Sequence, residues 1–240
     1  MTYDLTLLIP EGRLKPYAAV VGTDPAKLEQ FYLWAQRLSG VLFTDIGHLE
    51  VVMRSAMARE LSSEFGEEWY TREDLFEDVA AGMIARAWVD KGLGKLGASK
   101  PVLEGKLIAS LPFGFWTQLL SSGGKVNRPA IVRNRKYDWS LWQPALRKAF
   151  PGATSRSTIK NDADDVRHAR NRVAHQERIA WGVSIPGQQR VVSVSEVKET
   201  VFRLAQTIDP AAAAWIEERS RVQEVVDECP APVLGTDLRL

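Results

Sequence analysis

Apolar residues recur every three or four positions through the first third of the chain, which is the spacing of an amphipathic α-helix. Thr23-Asp24-Pro25 supplies an N-cap followed by proline at the first helical position, and the spacing continues to Leu38. Gly40 is expected to end or bend this helix, and a second helix is expected over residues 42–63. A third helix is predicted over residues 72–90.

The middle of the chain continues the helical pattern with more frequent interruptions. Residues 102–120 predict two helices that are separated by Pro112-Phe113-Gly114. A short helix is expected up to Phe150, and a longer one is expected to start at Ser157 or Thr158, either of which can cap it.

Residues 181–194 differ from the rest, because apolar and polar residues alternate there and glycine and proline interrupt the run. We expect a short hairpin or an extended loop in this segment. Ser195 begins another predicted helix, and Pro210 begins the last one. The pattern as a whole predicts an all-α fold with one domain over residues 1–229 and a flexible tail over residues 230–240.

Composition is consistent with a soluble protein that has a substantial core. A chain of 240 residues, 45% of them hydrophobic, can bury such a core in one domain. The single cysteine, Cys229, cannot form a disulfide within the chain. The sequence has neither a signal-peptide pattern at its N-terminus nor an apolar run of ~18 residues, the length of a membrane span. We therefore expect a cytoplasmic protein that does not contact a membrane.

Charge is distributed unevenly along the chain, although the net charge is only +1. Residues 121–160 contain nine Lys or Arg against one Asp, whereas residues 1–80 contain fourteen Asp or Glu against seven Lys or Arg. A polyanion such as RNA is therefore expected to meet the middle of the chain. The alternative is a solvated basic loop. The candidate RNA-binding residues of this loop are Lys125, Arg128, Arg133, Arg135 and Lys136.

Residues 170–175, with the sequence RNRVAH, combine an arginine, an asparagine and a histidine on a predicted helix. Helical periodicity directs Arg170 into the apolar face and places Asn171 and His175 together beside it. A cation aimed at a core needs a partner, and Glu50 or Glu177 could provide one. Glu50 and Arg54 lie side by side on their own predicted helix. Two further cations, Arg167 and Arg178, flank the motif and extend the candidate RNA-binding surface.

Each of these residues also has a purely structural interpretation. Arg170 could form an ion pair that only holds two helices together, and His175 could be an ordinary surface histidine. Three histidines and one cysteine without metal-ligand spacing predict no bound metal. Gly92, Gly94 and Gly97 lack the order of a phosphate-binding loop, so no cofactor is expected.

Seven segments in order along the chain resemble the Abi-like (abortive infection) proteins of bacteria, which belong to the HEPN superfamily. They are QFYLW (30–34) with LSG (38–40), HLEVVMR (48–54), FG (65–66) with WY (69–70), LPFGFW (111–116), LWQP (141–144), AFP (149–151) and RNRVAHQE (170–177). The Arg-x4-His spacing alone is weak evidence, but the ordered set is specific.

The resemblance implies a HEPN-like helical bundle in which the Arg-x4-His helices of two protomers face each other and form one ribonuclease site. It assigns Arg170, Asn171 and His175 to that site. Gln176 stands where the family often has a second histidine, and Ser55 stands where it often has asparagine. Glu177 occupies the position at which some relatives carry a tyrosine that a nucleotidyltransferase modifies, so that mode of regulation is not expected.

These residue types suit RNA cleavage without a metal ion. Imidazole can take or give a proton near neutral pH, and a guanidinium can bind the phosphate oxygens that gain charge. The 2′-OH would be the nucleophile, so RNA and not DNA would be cut. Together with this chemistry, the resemblance implies an endoribonuclease toxin of phage defence that acts as a homodimer. The alternatives are a non-catalytic HEPN module that binds RNA or a nucleotide, and the toxin half of a toxin-antitoxin pair with a neutralising partner.

Overall fold

Helices account for most of the chain in the computed structural model, which describes residues 5–128, 131–187, 189–231 and 233–240. The content is 68% helix and 5% strand, which confirms the predicted all-α class. The helices of the described residues are α1 (Leu5–Leu8), α2 (Glu11–Val21), α3 (Pro25–Phe65), α4 (Asp78–Asp90), α5 (Lys100–Ser110), α6 (Phe113–Leu119), α7 (Arg156–Ala174), α8 (Val194–Ile208), α9 (Pro210–Arg219) and α10 (Val222–Asp227). The strands are β1 (Gly123–Arg128), β2 (Ile131–Lys136), β3 (Val183–Ser184) and β4 (Val191–Val192).

Helix α3 is continuous over 41 residues, so the predicted break at Gly40 is wrong. Leu38, Leu42 and Ile46 around the glycine are fully buried. A glycine inside a helix costs about 1 kcal/mol relative to alanine, whereas burying one leucine contributes roughly 1.5–3 kcal/mol. Core packing therefore outweighs the local weakness. The helix begins as predicted, because the Asp24 carboxylate accepts hydrogen bonds from the first backbone N–H groups.

Helix α3 is also the element against which α2, α7, α8, α9 and α10 all pack. Helix α8 contacts both α3 and α7, and its start is fixed by a capping box between Ser193 and Glu196. Helix α7 starts at the cap residue Ser155, whose hydroxyl accepts from the Thr158 N–H at 3.1 Å. The central layer of the fold is thus formed by α3, α7 and α8.

The basic segment after Gly123 is a β-hairpin and not a loop, which corrects the sequence interpretation. Strands β1 and β2 are antiparallel, with Lys125 opposite Asn134 and Gly123 opposite Lys136. Val126 is buried at 2% exposure, so alternate residues of the hairpin point toward the bundle. High charge concealed this alternation in the sequence.

Two other segments also differ from the predicted helices. Residues Asp138–Trp142 form a π-type turn and Leu146–Ala149 a 3-10 turn, where one short helix was expected. Pro144 between them has no N–H with which to continue a helix. The third predicted helix starts later than expected, at Asp78, because the Glu77 carboxylate caps it.

The short hairpin expected within residues 181–194 is present, because β3 and β4 pair antiparallel. The C-terminal end packs against the bundle, in contrast to the flexible tail predicted for residues 230–240. Leu238 is buried at 6% exposure, and the Arg239 N–H donates to the carbonyl of Ala180 at 2.8 Å. In the described ranges no helix is both long and apolar enough to cross a membrane.

Candidate functional site

Helix α7 ends at Ala174, so His175 is its C-cap residue and does not lie within the helix. The Gln176 N–H donates to the carbonyl of Val173 at 2.9 Å, and the Glu177 N–H donates to that of Arg172 at 2.8 Å. These two bonds form a Schellman motif, in which the residue after the cap adopts a left-handed conformation. Gln176 does so with φ of 57°. The sequence does not reveal this end, because position 176 carries glutamine and not the glycine that usually marks the end of a helix.

The side chains of Asn171 and His175 are available for a ligand. His175 is exposed and Asn171 is half-buried. Across the parts of the chain that the structure describes, neither the Asn171 amide nor the His175 ring makes a hydrogen bond within the protein. The His175 N–H donates to the Asn171 carbonyl at 3.0 Å, so the two residues lie one helical turn apart on one face, as predicted.

Arg170 lies at the boundary between α7 and α3 and not in the core, which corrects the predicted orientation. Its side chain is 36% exposed, and its Nε lies 3.9 Å from Oε2 of Glu50. That Nε is buried and donates no hydrogen bond. Glu50 therefore attracts Arg170 by charge but leaves the guanidinium uncommitted, and the rest of its donors can bind another group.

The other two supporting residues occupy different places. Glu177 pairs with Arg172 at 3.2 Å and not with Arg170. Arg54 is half-buried one turn after Glu50 on α3. Helix α7 runs antiparallel to α3, since Arg170 lies near Glu50 while Val173 lies near Phe43.

A cleft of about 360 Å³ lies between α3 and the end of α7. Gly40 and Phe43 form its α3 side, and Val173, Ala174 and Gln176 form its α7 side. Phe43 is 41% exposed, and a Cβ added at Gly40 would meet nothing within 4 Å. This cleft next to the end of α7 therefore combines apolar groups with the polar side chains of Gln36, Ser39 and Gln176.

The remaining predicted RNA-binding residues are spread over two regions. Arg167 lies beside α6 and forms a pair of 3.4 Å with Asp164, and Arg178 is exposed three residues after His175. Lys125 and Lys136 are exposed on the outer face of the hairpin, whereas Arg135 is half-buried on its inner face. The side chains of Arg128 and Arg133 lie outside the described part of the structure.

The pKa values of two ionisable groups near α7 differ from their ordinary values. Burial raises the pKa of Tyr17, which lies near Arg13 and Arg178. Burial, together with the adjacent Arg167, lowers the pKa of His168. Neither residue is part of the Arg-x4-His motif.

Arg13 and Trp181 are parts of this region that sequence analysis missed. The Arg13 guanidinium donates a hydrogen bond to the Gln176 carbonyl across 163 positions of sequence. Trp181 is half-buried and packs against Tyr17, with ring centroids 5.0 Å apart. No local spacing links α2 to the end of α7, so only the tertiary structure brings these residues together.

Within the described ranges, no set of three or more His, Cys, Asp or Glu is arranged so that it could hold a metal ion. Comparison with protein-family models, with curated proteins and with solved structures found no match to this chain.

Proposed function

We propose that this protein is a metal-independent endoribonuclease of bacterial phage defence, acting in the cytoplasm as a homodimer of HEPN type. The observation that carries the proposal is the end of α7. There an exposed imidazole and an amide have no partner within the described residues, and Arg170 beside them is held only by a distant carboxylate. On such a surface, Arg170 can bind the oxygens of a phosphodiester, and the imidazole can take a proton from the reacting groups or give one to them.

The proposed reaction is a transesterification in which the ribose 2′-oxygen displaces the 5′-oxygen from phosphorus. One His175 takes the proton of the ribose 2′-OH, and the 2′-oxygen forms a bond to phosphorus. The bond from phosphorus to the 5′-oxygen breaks, and the His175 of a second protomer gives that oxygen its proton. Arg170 binds the non-bridging oxygens, where negative charge increases in the transition state. The products are a 2′,3′-cyclic phosphate and a 5′-OH.

A dimer is part of the proposal because one chain supplies only one such histidine. The α3 face beside α7 suits a two-fold contact, since Phe43 and Val51 are exposed at 41% and 49%. Gly40 and Gly47 on the same face have open space where a Cβ would stand, so a second helix can approach closely. An isologous contact across this face would bring two copies of α7 near each other.

The test is cleavage of total RNA by the purified protein and by a His175→Ala variant at matched concentration. We expect the variant to lose cleavage and toxicity with nearly unchanged melting temperature, because the exposed ring makes no contact that stabilises the fold. Arg170→Ala should lose activity and also some stability. His48→Ala is the control, because His48 packs against Trp215 and lies outside the motif.

Equal cleavage by the His175→Ala variant would overturn the assignment. RNA binding without cleavage by the wild type would favour a recognition module. Rescue of growth by a small protein encoded nearby would identify the chain as the toxin half of a toxin-antitoxin pair.

A further inference from the structure

Trp181 follows the Arg-x4-His motif by six positions and lies in a 3-10 turn, Ile179–Trp181. Its ring makes T-shaped contacts with Tyr17 and Phe31, with centroid distances of 5.0 and 6.0 Å. These contacts hold the indole against the bundle. Trp181 is half-buried as a whole, and it borders two surface clefts.

Arg178 belongs to the first of these clefts and lies over the Trp181 ring, with its guanidinium carbon 5.4 Å from the centroid. Pro16 and Val20 of α2 also line this cleft, and its volume is about 330 Å³. Within the described residues Arg178 has no carboxylate within ion-pair distance. The cation is therefore held by the ring and not by an acid.

The second cleft that Trp181 borders has a volume of about 500 Å³. Asp237 borders both clefts, while Glu196 and Arg239 border only this one. Arg239 is exposed and, like Arg178, forms no ion pair with any described carboxylate. The clefts around the ring thus contain two cations that have no ion-pair partner among the described residues, Arg178 and Arg239, and two carboxylates. The Glu196 carboxylate caps α8, so that of Asp237 is the one that can accept further hydrogen bonds.

This combination matches the chemistry of one nucleotide of single-stranded RNA. An unstacked base is recognised by stacking on an aromatic ring or a guanidinium plane, and its phosphates are recognised by cations. A carboxylate accepts from the exocyclic amino group of a base, as glutamate and aspartate accept from cytosine N4. Uracil has no such amino group.

We propose that the Trp181 clefts bind one nucleotide of the RNA substrate next to the scissile bond, with a preference for a base that carries an exocyclic amino group. The base stacks on Trp181 beside Arg178, its amino group donates to Asp237, and Arg178 and Arg239 attract the flanking phosphates. This subsite rests on the proposed ribonuclease function. We place it next to the scissile bond because only five residues of the chain separate Trp181 from His175.

The experiment measures binding of 2′-O-methyl oligoadenylate, which cannot be cleaved because its 2′-oxygen is blocked, against the same backbone carrying abasic positions. Stacking of one base is worth roughly 1–3 kcal/mol, so the wild type should bind the base-containing strand roughly 5- to 150-fold more tightly. In Trp181→Leu this ratio should fall toward one. In Trp215→Leu it should not change, although Trp215 also carries a stacked arginine, Arg219, at 4.8 Å.

A second variant covers the case in which Trp181→Leu unfolds. Asp237 is exposed, so Asp237→Ala should fold normally and lose the preference for oligoadenylate over oligouridylate. An unchanged preference in Asp237→Ala, or an unchanged base-to-abasic ratio in folded Trp181→Leu, would overturn the subsite. These are binding measurements, so they can succeed or fail separately from the cleavage test of His175→Ala.

Discussion

Arg13 of α2 donates a hydrogen bond to the backbone carbonyl of Gln176, the residue that directly follows His175. The bond fixes a peptide in the one turn of the motif where the backbone is left-handed, with φ of 57° at Gln176. The position of His175 therefore depends on α2 as well as on α7. A backbone acceptor is retained whatever side chain occupies position 176.

Gln176→Gly should raise the free energy of unfolding by about 0.5 kcal/mol. A left-handed conformation costs an L-residue roughly 1–2 kcal/mol, and glycine at this position removes that cost. The relief exceeds the roughly 0.4–1 kcal/mol by which the greater entropy of glycine stabilises the unfolded chain. Urea unfolding measures the change. Ala174→Gly is the matched control, and it should destabilise by up to about 1 kcal/mol, because Ala174 is helical. If Gln176→Gly is less stable than the wild type, the backbone at Gln176 is not strained and the prediction is wrong.

Cleavage should survive EDTA and leave 2′,3′-cyclic phosphate or 3′-phosphate ends. The reason is that the proposed nucleophile is the 2′-OH, and the acid and base are histidines. End-group analysis of a labelled oligoribonucleotide, with and without chelator, distinguishes the mechanisms. A 3′-OH product whose formation requires Mg²⁺ would contradict the proposed mechanism.

Phe43→Asp should convert the proposed dimer to a monomer and remove cleavage. A carboxylate at the centre of an apolar contact would lose its hydration there, so the dimer dissociation constant should rise roughly a hundredfold. Sedimentation at micromolar concentration gives the measurement. Val89→Asp on α4, at a valine that is 74% exposed, is the control and should stay dimeric. Full activity from a monomeric wild type would refute the composite site.

The comparison of sequence and structure is clearest along α3 and α7. Helical spacing was sufficient to predict their existence and the shared face of Asn171 and His175. It did not predict continuity through Gly40, because the decisive term is the burial of Leu38 and Leu42 by other elements. It also missed the end of α7, since Gln176 occupies a position where glycine is the usual signal.

The parts of the candidate site that sequence could not reveal are those that depend on distant pairs. The sequence offered Glu50 and Glu177 as partners of Arg170. Only the antiparallel packing of α3 and α7 shows that Glu50 is the partner, since Glu177 pairs with Arg172. Trp181 was missed because its significance comes from Arg178 above the ring and from Asp237, which lies 56 positions further along the chain. Local periodicity contains no information on such contacts.

The Asp45 carboxyl should make stability depend on pH. It is 2% exposed and accepts from the Ser220 hydroxyl at 2.5 Å. Burial raises its pKa above the ordinary value of 3.8, with the Ser220 bond, His48 and Lys198 acting in the opposite direction. The folded state therefore binds the proton more tightly than the unfolded state. Its contribution to stability is complete below pH 3.8 and is lost as the pH rises through the folded-state pKa.

Asp45→Asn keeps an acceptor for Ser220 and removes the titration. Relative to the wild type, it should be more stable at neutral pH, and this advantage should shrink as the pH is lowered. Asp74→Asn is the control of opposite sign, because the hydrogen bond from Arg72 lowers the pKa of Asp74. Denaturant unfolding across the pH range tests both, and a pH-independent difference for Asp45→Asn would reject the prediction.

The outer face of the basic hairpin should contribute RNA affinity through Lys125 and Lys136. Both lysines are exposed and lie on the same face, since Gly123, the partner of Lys136, and Lys125 alternate with the buried Val126. Each cation that contacts single-stranded RNA changes the slope of log K against log salt by roughly 0.7, so changing both to alanine should flatten it by about 1.4. Stability should change little, because exposed lysines make few packed contacts.

The control is the double variant Lys91→Ala and Lys106→Ala, which removes the same charge from exposed positions at α4 and α5. It should leave the salt slope unaltered. Equal slopes for the hairpin variant and the wild type would mean that the hairpin is only a solvated surface, and the RNA would then have to follow Arg167, Arg172 and Arg178.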